Sequence, residues 1–305
     1  MSETMTAGLS IAQGVSGEAP TCPVCSGRDH KVWGVRTEQV MYECGRCGLI
    51  FFDRQAFTVH DYGNYYDYTD DWDSKRIAWE LKIRRRALTR QLTQLGSYVS
   101  GRKLLDIGAG PGFLCHGASN EGWETQGIEL SEKALRVGRQ FLNVNYVQFD
   151  DIHDESLDVI TCYHILEHME QPDGFIKKVY SKLKPNGVVA VHVPHREPLS
   201  FSIRNRLASR ANDEAEKLCQ LYVPEHISGF TRESLVNAFQ IFGFQPLLIK
   251  TSAMWGTYYD PFFLRNYLRE NDYVGILKHT LRCLVDNLGV AFGKGDWVVG
   301  HFRRR

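Results

Sequence analysis

Leu104-Leu105-Asp106-Ile107-Gly108-Ala109-Gly110-Pro111-Gly112-Phe113-Leu114 is the stretch that decides the fold. An apolar run fit for a buried strand stops at Asp106, glycines alternate at 108, 110 and 112, and a helical pattern comes next. Glycine has no Cβ, so it takes up φ > 0 and lets a ligand touch the backbone. A strand, a glycine-rich turn and a helix in this order place such a ligand at the carboxyl end of a parallel strand. The stretch departs from the dinucleotide fingerprint G-x-G-x-x-G, because position 113 is Phe where that pattern needs Gly.

The chain beyond Leu114 keeps the same rhythm. Thr125 to Leu130 reads as a second strand carrying Glu129 at its end. A carboxylate there can accept hydrogen bonds from two adjacent ribose hydroxyls. Tyr146 to Asp151 reads as a third strand ending in acids, and Leu157 to Cys162 as a fourth, running into Tyr163-His164-Ile165-Leu166-Glu167-His168-Met169. Leu183-Lys184-Pro185-Asn186-Gly187 precedes a fifth, Val188 to Val193.

In this order the motifs resemble the core of the class I S-adenosylmethionine (SAM) methyltransferases over about residues 100–250. The resemblance implies an α/β fold, with a Rossmann-like, seven-stranded, mostly parallel sheet. It implies a cofactor site at Asp106, Gly108, Ala109, Gly110, Gly112, Glu129, Leu130, Asp150 and Asp151. In that family the glycine loop wraps the amino-acid end of SAM, and an acid at the end of the third strand accepts from the adenine amino group.

Lys plus Arg equals Asp plus Glu at 36 each, so no global field draws the chain to nucleic acid or an anionic membrane. Hydrophobic content of 43% and charged content of 24% are ordinary for a globular protein. No apolar run approaches the ~18 residues that span a bilayer. Residues 1–20 read as a disordered tail without the basic start and apolar stretch of a signal peptide. A cytoplasmic location is expected.

Four of the eight cysteines, Cys22, Cys25, Cys44 and Cys47, form C-x2-C-x18-C-x2-C. That spacing matches a zinc ribbon in which two tight turns each present a pair of thiolates. Four protein ligands leave no open position, so structural Zn2+ is expected. A pair of disulfides is the competing reading. Cys115, Cys162, Cys219 and Cys283 are scattered and read as ordinary thiols.

The chain divides into the tail, a ribbon at 21–53, a Tyr-rich linker and long helix at 54–98, and a cofactor-binding unit at 99–305. That unit carries insertions at 195–229 and 255–292, placed to wall an acceptor pocket. The basic residues of the long helix, such as Arg84, Arg85 and Arg86, read as a solvated face.

Methyl transfer needs alignment of donor and acceptor, and a base where the acceptor carries a proton. His164, Glu167 and His168 share one face if their segment is helical. The string also fits the H-x-x-E-H of a protease family, but the SAM-type core explains its position. Pro224 to Arg232 resembles a stretch after the fifth strand of the same methyltransferases, and brings His226 to the pocket mouth. In ubiquinone-pathway O-methyltransferases and a small-RNA 2′-O-methyltransferase, an E-x-x-E-H segment holds a divalent metal. Glu167, His168 and His226 match parts of that set, and His164 stands where the first Glu would be. Base catalysis, a second divalent metal at the acceptor and a structural cap all remain open.

The expected function is SAM-dependent methyl transfer to a small-molecule acceptor of sugar or secondary-metabolite type, with O- or N-transfer favoured over C-transfer. An RNA methyltransferase and a non-catalytic SAM-binding interaction module are the competing readings.

Overall fold

The computed structural model describes residues 20–36, 39–52, 72–210, 226–253 and 273–305. The expected tail, the Tyr-rich stretch 62–68 and the aromatic part of the second insertion lie outside the described residues.

The N-terminal part is an antiparallel sheet. Strands β1 (His30–Arg36), β2 (Gln39–Cys44) and β3 (Ile50–Phe52) succeed one another, and a short strand far along the chain, β8 (Ser228–Gly229), joins at the edge. Helix α1 (Ser74–Gly96) comes next; Asp73 caps it by accepting from the Arg76 amide. Its basic run lies at the surface as expected, with Arg85 and Arg86 exposed, while Arg76 and Arg84 reach from there to pair with the buried Glu80.

The main sheet has six strands in the order β5-β4-β6-β7-β10-β9. These are β4 (Lys103–Ile107), β5 (Glu124–Ile128), β6 (Leu157–Tyr163), β7 (Leu183–Pro194), β9 (Phe244–Ser252) and β10 (Trp297–Arg304). Strands β5, β4, β6 and β7 run parallel, while β10 lies antiparallel between β7 and β9. Helices α2 (Phe113–Asn120), α3 (Glu132–Val137), α4 (Pro172–Lys182), α5 (Leu199–Arg210), α6 (Arg232–Gln240) and α7 (Tyr273–Ala291) complete the order. Crossover connections between parallel strands bury both sheet faces, which is why β4, β6 and β7 read as near-continuous apolar runs. Leu104, Leu105, Val159, Ile160, Val189 and Val191 are buried there.

The expected third strand, Tyr146 to Asp151, is reduced to one parallel bridge between Gly127 and Tyr146, leaving six strands where seven were expected. The chain then turns into a 3-10 segment at Phe149–Asp151, where Gln148 and Asp151 cap each other reciprocally. This local capping stops strand pairing after Val147, whose amide reaches the Gly127 carbonyl at 3.0 Å. Strands β9 and β10 pair antiparallel, and Thr231 caps α6 by accepting from the Ser234 amide. Among the described residues no helix is long and apolar enough to cross a membrane.

Candidate active site

Strands β4, β5 and β6 are parallel neighbours, so their carboxyl ends open onto one edge of the sheet. Most of the candidate site hangs from that edge, His226 excepted. After β4 the backbone turns through Gly108 (φ 73°), Gly110 (φ 54°) and Gly112 (φ 85°), a left-handed path that favours glycine. The amides of Gly108 and Ala109 both reach the Ile128 carbonyl at 2.9 Å. Glu129, one residue past β5, closes the loop from outside. Its Oε2 accepts from the Gly110 amide at 2.7 Å, and its Oε1 from the Leu130 amide at 2.7 Å and the Ser131 amide at 2.8 Å. The Tyr146 hydroxyl donates to the Gly110 carbonyl at 2.8 Å.

Asp106, below the loop, is buried and accepts from the Thr161 hydroxyl at 2.6 Å. Burial pushes its pKa up to about 7; the Thr161 hydrogen bond opposes the rise and the Glu129 charge adds to it.

Past β6 the chain enters the second half of the site. His164 takes a left-handed φ of 58°, uncommon for a side chain of its size. Its amide donates to the His192 carbonyl at 2.9 Å. Leu166–His168 then forms a 3-10 turn, so the α-helical condition under which 164, 167 and 168 would share a face is not met. The His164 amide is still bound to β7 and its φ is left-handed, so an α-helix cannot begin there. The turn nonetheless brings Glu167 into the middle. Its Oε1 lies 3.4 Å from His164 Nδ1 and 3.9 Å from His168 Nε2. The His168 and His226 rings meet edge-on at 4.9 Å between centroids. Glu167, His168 and His226 offer ligand atoms within 4.8 Å of one another; His164 stands outside that group. Glu167 is 1% exposed, and among the described residues neither carboxylate oxygen has a hydrogen-bond partner. A buried carboxylate without donors is costly unless a cation or a proton accompanies it.

The two halves touch. A Cβ placed on Gly108 would stand 2.2 Å from Ile165 Cδ1, so the glycine loop and the histidine turn are packed against each other. A family model described as a methyltransferase domain matches residues 81–249, more than half of the chain and the span holding both halves. The chain belongs to the methyltransferase-domain family. Among curated proteins, the ubiquinone biosynthesis O-methyltransferase of Azoarcus sp. (strain BH72) is 37% identical over 101 residues, 30% of this chain and 43% of that protein. The protein of that name from Acinetobacter baylyi (strain ATCC 33305 / BD413 / ADP1) is 27% identical over 202 residues, 60% of this chain and 78% of its own. The chain spans about half the length of most of the curated relatives it matches. Among solved structures, a SAM dependent methyltransferase from Archaeoglobus fulgidus is 17% identical, with a TM-score of 0.46, covering 80% of this chain and 100% of that one.

Within this methyltransferase domain, the structure brings Asp106, the loop glycines, Ala109, Glu129 and Leu130 to one edge. Leu130 is 73% exposed, an apolar side chain presented beside the Glu129 carboxylate. Asp150 and Asp151 sit in an exposed turn, with Asp151 accepting from the Gln148 amide at 3.4 Å. Two neighbours of the site escaped the sequence reading. Trp297 packs its ring edge-on to His164 at 4.3 Å, and His192 stacks on Tyr163 at 4.0 Å. Trp297 opens the antiparallel strand β10, opposite Pro194 at the end of β7; that register could have pointed to it. Burial holds the His192 pKa down to about 3, with the His164 charge a smaller contribution, so its imidazole is neutral.

The cysteines also converge. Cys22, Cys25, Cys44 and Cys47 are buried, unbridged, and carry sulfur atoms within 4.8 Å of one another. The amides of Ser26 and Gly48 fold back to the Cys22 and Cys44 carbonyls at 2.9 Å, forming the two tight turns expected.

Proposed function

We propose that the chain is a SAM-dependent methyltransferase acting on a small-molecule acceptor, with transfer to oxygen or nitrogen. The observation that carries this reading is the packing of the glycine loop against the His164–His168 turn through Gly108 and Ile165. A donor held by the loop and an acceptor held by the turn would share one sheet edge. The residues present suit SAM: a carboxylate at Glu129 for ribose hydroxyls, a left-handed glycine path, and exposed Leu130 for a flat apolar ring. The chemistry supplied by bound SAM is an electrophilic methyl carbon for in-line displacement.

Glu129 would fix the ribose end while holding the loop through Gly110. Leu130 would cover the ring, with Asp150 near its amino group. Glu167, His168 and His226, with His164 beside them, would orient the acceptor and take its proton as it attacks. Hydroxyl acceptors lose a proton in that step, so a base contributes about 10^2- to 10^4-fold. The relatives' names, which speak of O-methyl transfer in ubiquinone biosynthesis, favour a hydroxyl on a small organic acceptor. The domain division read from the sequence is part of the proposal, with Zn2+ on the four cysteines as a structural ion. Native mass spectrometry for co-purified cofactor, then radiolabelled methyl transfer onto a metabolite extract, tests the assignment. A chain that binds neither SAM nor its demethylated product overturns it.

One observation favours a second reading of the acceptor side. Among the described residues neither oxygen of Glu167 has a hydrogen-bond partner, and two histidines stand beside it, an N/O donor set suited to a divalent cation. Activity abolished by chelator and restored by Mg2+ or Zn2+ would select this reading over general base catalysis.

A further inference from the structure

We propose that the cysteine ribbon is a positioning element of the acceptor site, holding His226 against Glu167 and His168 through β8. The inference rests on the acceptor-site reading and adds the part the ribbon plays in it.

The link is made of backbone. Ile50 and Phe51 of the ribbon's β3 pair antiparallel with Gly229 and Ser228 of β8. One residue before β8, the Ile227 amide donates to the Glu167 carbonyl at 2.9 Å. The segment from His226 to Gly229 is therefore fastened to the ribbon on one side and to the catalytic turn on the other. Just after it, Phe230 is fully buried and bridges to His195, and its carbonyl accepts from the Arg196 amide at 2.8 Å.

Arg196 ties the same point to the ribbon by its side chain. Both terminal nitrogens donate to Glu43 Oε1 at 3.1 Å, and Nη1 also reaches the Gly48 carbonyl in the second cysteine turn at 3.3 Å. Asn237 of α6 donates to the Cys47 carbonyl at 3.3 Å. The cysteine turns are thus hydrogen-bonded to Arg196, whose amide holds Phe230, and to Asn237 of α6, both just past the segment that carries His226. Without that anchoring, a two-residue strand cannot hold its place, because two pairs make too small a ladder. A ribbon serving only as a separate docking module would not need its sheet extended by a strand from the acceptor side.

Hydrogen exchange on the full-length protein tests the proposal without knowledge of the acceptor. Stripping metal from the wild-type protein with a thiol reagent, or substituting Arg196→Leu, should raise exchange in 226–231 at least about tenfold. Exchange in 103–107 and 124–128 should stay unchanged. Arg196→Lys, which keeps the charge and loses the double contact, should give an intermediate rate. In protein labelled at histidine, the ring resonances of His168 and His226 should move on stripping, and that of exposed His153 should not. Should Arg196→Leu fail to fold, stripped wild-type protein gives the same reading. Unchanged protection in 226–231, while 20–52 exchanges freely, overturns the inference. Failure of the protein to bind SAM would sink the cofactor reading and leave the exchange result standing.

Discussion

Replacing Glu129 separates two duties that the structure lays on one carboxylate. Its oxygens accept from the amides of Gly110, Leu130 and Ser131 at 2.7 to 2.8 Å. In Glu129→Ala those donors lose their partner. Gly110 is buried, so its orphaned amide alone costs about 1–3 kcal/mol. The bound cofactor would lose one or two hydrogen bonds to a charged acceptor, about 1.5–3 kcal/mol each. One such bond corresponds to a rise in Kd of roughly 10- to 150-fold. Calorimetry with the demethylated product, paired with thermal denaturation, reads both effects. Repeating the titration with an analogue lacking the ribose hydroxyls closes a double-mutant cycle. Wild-type and variant should differ far less for that analogue than for the full ligand. Equal losses for both would assign Glu129 to loop order alone and refute its contact with ribose. An unchanged Kd would remove it from the site.

Glu167→Gln or His168→Ala should lower turnover by about 10^2-fold or more with little change in cofactor affinity, since the proton transfer is used only in the transition state; turnover kept per folded molecule would leave the turn a structural cap. Elemental analysis should find one zinc per chain, lost in Cys25→Ser, and its absence from protein purified without chelator would contradict the ribbon reading. Asp106, raised from 3.8 to about 7, stays protonated in the native state over a range where the unfolded chain has lost its proton. Its contribution to stability is full below pH 3.8 and is lost as pH rises to about 7, on the order of 4 kcal/mol in all. Asp106→Asn, which mimics the protonated form, should therefore gain melting temperature over wild type at pH 8 relative to pH 5, and a pH-independent difference would refute the argument.

The parallel sheet and the glycine loop were legible because each depends on local signals. An apolar run ending in an acid, then alternating glycines, allows few backbone paths, and Gly108, Gly110 and Gly112 take the left-handed one. The cysteine turns were legible for the same reason: two residues between ligands fix a tight turn. The third strand failed because Tyr146 to Asp151 carries two competing local preferences. Its first half has strand-like residues, and its second half holds a reciprocal cap between Gln148 and Asp151 that ends pairing at once.

The acceptor side was only half legible, and the reason is physical. The grouping of Glu167 with His168 comes from adjacency in sequence, and survives although the helix invoked to justify it is a 3-10 turn. The approach of His226, 58 residues on from His168, depends on the Ile227 amide finding the Glu167 carbonyl. That contact depends in turn on β8 pairing with β3, nearly 180 residues earlier in the chain. No periodicity records such a pairing, since a two-residue strand has no pattern to read. Arg196 and Glu43 are equally silent, because either could belong to an ordinary solvated surface. Their side chains are 14% and 19% exposed, and a partly buried pair in which both terminal nitrogens of Arg196 donate to one oxygen of Glu43 constrains geometry as well as charge. The chemistry-bearing side chains were therefore readable one at a time. What gathers them is long-range backbone pairing that passes through the ribbon, which makes the N-terminal cysteines part of the site's architecture.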